Sequence, residues 1–216
     1  MASTSGDRIE LFAASLDHPA VNLQPAPASK ATDDSRLVEA AREGDRVAFG
    51  VLYDRYSRMV HGILLARVPL REVDDLVQDV FLRALPRLHG LRDVSRFGAW
   101  LAAITRNRAH DFHRHAVEEV ELPEELPGDP REGKPGRSAV DAEAEFLLSA
   151  IRRLPETYRE ILLLRLVEGM TGPEIAARTG LKHGSVRVNL HRGMQKLREK
   201  LAGIPRRAQE KQERQA

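Results

Sequence analysis

The side chains best suited to bind another molecule lie between Lys182 and Lys200, where six lysines and arginines accompany one acid, Glu199. Lysine and arginine donate hydrogen bonds to phosphate oxygens, and arginine also reaches guanine edges in the major groove of DNA. A solvated face usually mixes charge signs to gain ion pairs between turns, so a run of one sign is typical of a nucleic-acid surface. The segment therefore predicts DNA binding.

A capped support helix and a tight turn precede this basic segment. Thr171 and Glu174 have the spacing of a capping box, Pro173 lies in the first turn, and Gly180 suits a tight crossing. The next helix, over about 184–201, has an apolar inner face of Val186, Leu190, Gly193, Leu197 and Leu201. The pattern predicts a helix-turn-helix that reads the major groove. An ordinary helical hairpin with a solvated basic face is the alternative.

Polar and basic residues dominate the opposite face of the second helix and its start. A valine there suits a thymine methyl group, a glutamine suits adenine, and the helix N-terminus suits a phosphate. The candidate DNA-binding residues are Lys182, Ser185, Arg187, Val188, His191, Arg192, Gln195 and Lys196.

Composition places the chain among all-α proteins and excludes several functions. Of its 216 residues 42% are hydrophobic and 31% are charged, aromatic residues are few, and strand-like alternation is short. The absence of cysteine excludes disulfides and thiol chemistry. No Gly-rich phosphate loop or nucleophile elbow occurs, so neither an enzyme nor a cofactor is predicted. No apolar run reaches membrane-spanning length and no secretory signal is present, so we expect a cytoplasmic protein without membrane insertion.

The chain divides into two helical blocks joined by a linker. The boundaries follow from proline and glycine content and from helical periodicity. We predict a disordered extension over 1–34, a first helical domain over 35–116, an acidic Pro/Gly-rich linker over 117–137, a second helical domain over 138–203 and a frayed tail over 204–216.

In the first domain a predicted helix over about 72–88 has a broad apolar face. Its helical phase turns Asp75, Gln78, Asp79 and Leu82 outward. Acidic residues around an exposed leucine suit a basic partner helix, but an ordinary solvated face looks the same. The residues alone leave both interpretations open.

A further predicted helix, over about 95–115, turns a basic face outward. Arg108 falls within the apolar stripe and is expected either to snorkel to the surface or to pair with Asp111, while Trp100 is expected in the core. His110, His113 and His115 do not share one face, so no metal site is predicted. The candidate phosphate or base contacts are Arg106, Asn107, His110, His113 and Arg114.

Three segments in this order resemble one family. They are Asp74–Leu85 (DDLVQDVFLRAL), Phe97–His115 (FGAWLAAITRNRAHDFHRH) and Leu154–Leu201, which contains the helix-turn-helix. Together they resemble the extracytoplasmic-function (group 4) RNA polymerase sigma factors, over roughly 36–202. The resemblance implies an all-α protein of two small helical domains that binds core RNA polymerase and directs promoter recognition and the initiation of transcription.

The resemblance also implies roles for the candidate residues. The helix with Asp75, Gln78, Asp79 and Leu82 would bind the clamp helices of the polymerase β′ subunit. The loop over about 87–96 and the helix that follows would open the promoter −10 element and hold an unstacked base. The helix over about 184–201 would read the −35 element. An anti-sigma factor, which holds many relatives inactive, is a candidate partner.

Two other classes of protein share parts of this pattern. A transcription regulator can end in a helix-turn-helix and bind DNA without being a polymerase subunit. It would need a receiver or ligand-binding domain, and the first block has no strand pattern. An adaptor or sequestering protein would use the helix over 72–88 but would not need a basic reader helix.

Overall fold

The computed structural model describes residues 28–118 and 139–202, with side chains described over 33–114 and 145–201. Those residues form eight α-helices and three single turns or short runs of 3₁₀ helix, without a strand among them. The all-α prediction is confirmed. The predicted linker beyond Glu118, the tail after Ala202 and residues 1–27 lie outside the described residues.

The first block contains four α-helices. They are α1 (Ala28–Arg42), α2 (Arg46–Leu65), α3 (Val73–Ala84) and α4 (Phe97–Glu118), with 3₁₀ segments at Leu70–Glu72, Leu85–Gly90 and Val94–Arg96. Asp45 caps α2, since its carboxylate accepts from Val47 N at 2.8 Å and Ala48 N at 3.1 Å. The helix predicted over 72–88 is α-helical only from Val73 to Ala84, and the chain continues in 3₁₀ geometry over Leu85–Gly90.

The prediction of disorder up to residue 34 is wrong for residues 28–34, which belong to α1. The physical reason is a long-range contact that local composition does not report. Arg55 on α2 pairs with Asp33 and Asp34, each at 2.5 Å, and the Tyr56 hydroxyl donates to Asp34 at 2.7 Å. These partners hold the first turns of α1 against α2.

The second block also contains four α-helices. They are α5 (Ala139–Arg152), α6 (Glu156–Leu166), α7 (Gly172–Thr179) and α8 (His183–Ala202). The capping box at Thr171 and Glu174 is confirmed in both directions. Gly180 ends α7 with φ of 72°, a left-handed conformation that favours glycine. The turn of the predicted helix-turn-helix therefore forms where expected.

The two blocks pack against each other over one continuous apolar core. Leu52, Met59 and Ile63 of α2 and Leu162 and Leu163 of α6 are fully buried in it. Helices α2 and α4 of the first block contact α6 and α7 of the second. We call this packing the closed arrangement. The sequence predicts a tether between the blocks and gives no sign of this contact.

Within the described parts of the chain, no helix has the length and apolar character needed to cross a bilayer.

Candidate nucleic-acid and polymerase interfaces

Helix α8 separates a buried face from a fully accessible one. Val186 and Leu197 are buried, and an added Cβ at Gly193 would lie 3.2 Å from Tyr158 Cβ and 3.3 Å from Leu162, so α8 packs closely on α6. All eight candidate DNA-binding residues are exposed: Lys182, Ser185, Arg187, Val188, His191, Arg192, Gln195 and Lys196. The arrangement presents donors and one apolar side chain together on one surface.

Local contacts fix the orientation of α8. Helix α7, which ends at the turn at Gly180, packs against α8. At the other end of α8, Lys200 Nζ donates to the Arg153 carbonyl at 3.1 Å. On the outer face, Gln195 Nε2 donates to Glu199 Oε1 at 3.1 Å. A base edge that takes the Gln195 amide hydrogen would replace this bond.

The outer face of α3 is exposed at three of its four candidate positions. Leu82 retains 71% exposure, and Asp75 and Gln78 are also exposed. Asp79 is half-buried and accepts from Arg83 at 2.9 Å and from Arg108 of α4. Burial alone would raise the pKa of Asp79, but the two arginines outweigh it and lower that pKa. The patch thus combines an exposed leucine with an acid that also joins two helices.

The predicted pairing of Arg108 with Asp111 is wrong. Arg108 pairs with Asp79 across the helix interface, and Asp111 pairs with Arg114 at 3.2 Å. Because Arg108 lies on the inner stripe of α4, its side chain points towards α3 rather than along its own helix. Arg108 therefore has a structural role, as expected, but its partner is Asp79.

The candidate residues of α4 do not share one free face. Asn107, His110, His113 and Arg114 are exposed, although His113 Nε2 lies 2.7 Å from the Arg67 carbonyl. Arg106 reaches the second block and binds Glu160 through two contacts of 2.7 and 3.2 Å. Arg114 pairs with Asp111 on its own helix. The side chain of His115 lies outside those described.

A surface pocket of about 340 Å³ lies beside the N-terminus of α4. It is lined by Leu91, Arg92, Asp93, Arg96, Ala99 and Trp100. Trp100 is half-buried and packs on Phe97 with ring centroids 5.8 Å apart, so its assignment to the core is only partly correct. The ring helps form an apolar wall, and two exposed arginines stand at the rim.

Two buried acids of the second block contact basic residues of the first. Glu160 is 5% exposed and binds Arg67 and Arg106, each at 2.7 Å. Burial alone would raise the pKa of Glu160, but the hydrogen bonds and charges of Arg106 and Arg67 outweigh it and lower that pKa. Glu168 accepts from His61 Nδ1 at 2.6 Å, and this bond raises the pKa of His61.

Comparisons with known proteins agree with this architecture in both blocks. The family model for Sigma-70 region 2 matches residues 52–118, and that for Sigma-70 region 4 matches residues 146–197. The ECF RNA polymerase sigma factor BldN of Streptomyces coelicolor is 33% identical over 179 residues, covering 81% of this chain and 68% of that protein. The RNA polymerase sigma factor NccH of Alcaligenes xylosoxydans xylosoxydans is 31% identical, covering 76% and 92%. The chain belongs to the extracytoplasmic-function sigma factors.

A solved structure agrees with this assignment. The structure of CnrH in complex with the cytosolic domain of CnrY superposes with a TM-score of 0.55 at 29% identity, covering 78% of this chain and 97% of that one. This sigma factor therefore acts as an initiation factor of RNA polymerase. The alternative of a DNA-binding regulator that is not a polymerase subunit is disfavoured, because the first block as well as the helix-turn-helix matches the family.

The residues that join the two blocks of this sigma factor were not predicted from the sequence. Glu160 precedes the apolar run Ile161–Leu164, and an acid at the edge of a buried stretch is a signal that a cation lies nearby. The sequence does not name that cation, because Arg106 is 54 residues away. The sequence indicates a cation near Glu168 less clearly, since Glu168 follows the end of α6 rather than standing beside a buried apolar run.

Proposed function

We propose that this sigma factor recognises promoters with two separate surfaces, one in each block. The surface of α8 contacts the −35 element, and the surface of α4 with the neighbouring pocket contacts the −10 element. The observation that carries the proposal is that all eight polar, basic and small apolar candidates are exposed, on or just before a helix whose opposite face is buried. A helix of this kind fits the major groove, where such side chains distinguish base pairs.

Within the −35 surface each residue type suits a particular contact. Arg187 and Arg192 suit phosphates or guanine edges, Gln195 suits an adenine, and Val188 at 45% exposure suits a thymine methyl group. Ser185 lies in the first turn of α8, where backbone N–H groups favour a phosphate. Lys182, His191 and Lys196 flank these residues and add cationic contacts to the backbone.

The proposed −10 surface contains Arg106, Asn107, His110, His113 and Arg114 on α4, together with the pocket beside Trp100. An unstacked base lies well against an aromatic wall, and stacking of this kind is worth about 1–3 kcal/mol per base. Arg92 and Arg96 at the rim suit the adjoining phosphates. The pocket would thus hold an unstacked base, while the neighbouring face of α4 contributes mainly charged side chains.

Core polymerase is proposed to bind Asp75, Gln78, Asp79 and Leu82 through the clamp helices of β′. An exposed leucine beside two acids complements a basic helical partner that also offers apolar surface. The proposed first and second domains span residues 35–116 and 138–203, with 117–137 between them. The protein is proposed to act in the cytoplasm and to leave all bond formation to the polymerase.

An anti-sigma factor is a further proposed partner. Support comes from the similarity to CnrH, which was solved in complex with the cytosolic domain of CnrY.

Reconstituted transcription tests these assignments. The protein is added to bacterial core polymerase with a library of upstream sequences, and the start sites are sequenced. We expect starts that require both components and that share two elements. Leu82→Ala should reduce binding to core polymerase, whereas Val47→Ala, also at an exposed apolar position (77%), should not. DNA binding without redirected initiation would contradict the proposal.

A further inference from the structure

We propose that Arg42, in the last turn of α1, is a positioning residue for the pocket beside Trp100, because it holds the loop that forms one side of that pocket. The inference rests on the proposed role of the pocket in binding an unstacked base of the −10 element. It goes further by naming a residue outside the pocket on which the base preference depends. We call residues 88–96 the pocket loop, since the pocket is lined on that side by Leu91, Arg92, Asp93 and Arg96.

Arg42 joins α1 to the backbone of the pocket loop. Its Nε donates to the Leu88 carbonyl at 3.0 Å, and its Nη2 donates to the Leu91 carbonyl. Leu91 lines the pocket, and Leu88 is buried beneath the loop. The planar guanidinium presents its donors in a rigid fork, so it can hold two acceptors at a fixed separation, which an ammonium group does not do. One side chain thus fixes two points of the loop.

These two carbonyls lie where the backbone changes direction. The 3₁₀ segment Leu85–Gly90 ends there, and Leu91 takes an extended conformation with φ of −75° and ψ of 107°. Carbonyls at the end of a helical segment lack the partners that an internal turn supplies, so outside donors stabilise their orientation. Leu91 N also donates to the Leu88 carbonyl at 3.1 Å. Arg42 therefore completes a small hydrogen-bonded unit from which the side of the pocket continues.

A second hydrogen-bonded unit fixes the other end of the pocket loop. The Asp93 carboxylate accepts from Ser95 N at 3.0 Å and from the Ser95 hydroxyl at 2.6 Å, and the Asp93 carbonyl accepts from Arg96 N at 3.0 Å. Asp93 thereby caps the 3₁₀ turn Val94–Arg96, which leads into α4. The loop is held by its own cap at this end, so its remaining anchor is the contact with α1.

The fold of α1 fixes the position of Arg42. A Schellman motif ends the helix just after this residue, and in it Asp45 N donates to the Ala40 carbonyl at 3.0 Å. Gly44 N donates to the Ala41 carbonyl at 3.2 Å, and Gly44 has φ of 96°, the left-handed conformation that the motif needs. Helix α1 also contacts both 3₁₀ segments that flank the pocket loop. Arg42 therefore projects from a backbone that is itself constrained.

Arginine caps of the same kind occur after α2, where they serve the core rather than a pocket. Arg152 donates to the carbonyls of Leu65 at 3.2 Å and Val68 at 3.0 Å, and Arg159 donates to Ala66 at 3.2 Å. All three acceptor residues are buried. The carbonyls held from α1 differ, because one of them belongs to a residue that faces the proposed base site.

A positioning role predicts an effect on selectivity. Loss of the two bonds leaves every lining residue in place but lets the loop move, so bases of different shape should fit the pocket more equally. A residue that only stabilised the first block would instead change initiation equally at all promoters. The base preference at the −10 element therefore distinguishes the two roles of Arg42.

The first test measures the pocket without DNA. Trp100 is the only tryptophan of the chain, so the intrinsic fluorescence of the full-length protein reports the pocket. Arg42→Met keeps a long side chain and removes its donors, and we expect emission at longer wavelength and stronger quenching by acrylamide. Arg42→Lys, which keeps the charge and a donor, should lie between Arg42→Met and the parent. Arg36→Met, at an exposed arginine of the same helix, is the matched control and should equal the parent.

The second test measures base preference in the polymerase holoenzyme. Each variant is added to core polymerase with a promoter library randomised at the −10 and −35 elements that the transcription experiment identifies. We expect Arg42→Met to reduce the preference for the favoured base at one −10 position about tenfold, a loss within the range of one stacking contact. The −35 preferences should equal those of the parent. Arg42→Lys should restore part of the −10 preference, and it carries both tests if Arg42→Met does not fold.

The outcomes separate this inference from the function on which it rests. Unchanged Trp100 fluorescence in the Arg42 variants, or an equal loss of initiation at all promoters, would overturn the inference while promoter-specific initiation by the parent still stood. If the parent holoenzyme discriminated bases at −35 but at no −10 position, the proposed function of the pocket would fail and the inference would fall with it.

Discussion

The two helices proposed to contact promoter DNA, α8 and α4, differ in what surrounds their candidate residues. All eight candidates on α8 are exposed, whereas on α4 Arg106 binds Glu160, His113 contacts the Arg67 carbonyl and Arg114 pairs with Asp111. Local amphipathic phase determines the outer face of α8, because its support helix is next to it in the chain. The environment of α4 depends on a block more than 20 residues further along. A helical pattern therefore predicts which side chains point outward, but not what lies against them.

The largest effect is expected where the α4 surface meets the buried acid. Replacing both Arg67 and Arg106 with alanine leaves Glu160 buried without a cation. Such a loss costs about 3–5 kcal/mol, and the free energy of unfolding measured in urea should fall by that order. Adding Glu160→Gln should restore much of the stability, since no uncompensated charge remains. Full stability of the double-alanine variant would show that the blocks are apart in solution.

On the α8 side we expect a change in recognition with little change in stability. Arg192→Ala should cost about 1–3 kcal/mol at one base position if the guanidinium reads a base edge. If Arg192 contacts only phosphate, affinity should fall equally for all sequences. Binding of core-associated protein to a series of promoter variants separates these results, with Arg46→Ala as an exposed control on α2. Unchanged binding to every promoter would exclude both contacts.

A smaller effect tests whether local structure is enough to orient α8. Thr171→Ala removes the N-cap of α7, which should lower the free energy of unfolding by about 1 kcal/mol. Affinity for −35 DNA should fall without a change in base preference, because the reader residues remain. Thr157→Ala, at an exposed threonine of α6, is the control in both assays. A changed base preference would show that the cap helps select the base contacts.

The smallest effect is a pH dependence confined to the contact between blocks. Glu168 raises the pKa of His61 above its ordinary value of 6.5. The His61–Glu168 bond therefore stabilises the folded protein fully below pH 6.5, and this stabilisation is lost as pH rises through the raised pKa of His61. The pKa of Glu160 is lowered from 4.5, so the stabilisation that its ion pairs provide is lost only below pH 4.5. The free energy of unfolding should therefore fall slightly as pH rises above 6.5, and His61→Gln should abolish this change. A fall of equal size in that variant would assign the effect to another group.

Short-range features were predictable and contacts between blocks were not. The Asp45 cap, the capping box at Thr171 and the apolar face of α8 follow from residues within one or two turns of each other. Arg108 was assigned to Asp111 because both are on α4, while its partner Asp79 is 29 residues earlier. The prediction of DNA binding by α8 follows from its run of one charge sign, whereas the polymerase role of α3 rests on family resemblance, since an acidic face alone also fits plain solvation.

The arginine caps at the end of α2 also bear on how the protein melts. Arg152 and Arg159 belong to the second block, and the carbonyls that they cap belong to the last turn of α2 and the residues after it. Loss of the second block would leave those carbonyls without donors and would weaken the core of the first. We therefore expect one calorimetric transition with equal van't Hoff and calorimetric enthalpies, rather than two independent ones. The two blocks would then unfold as one cooperative unit, although each has its own helices and its own exposed surface.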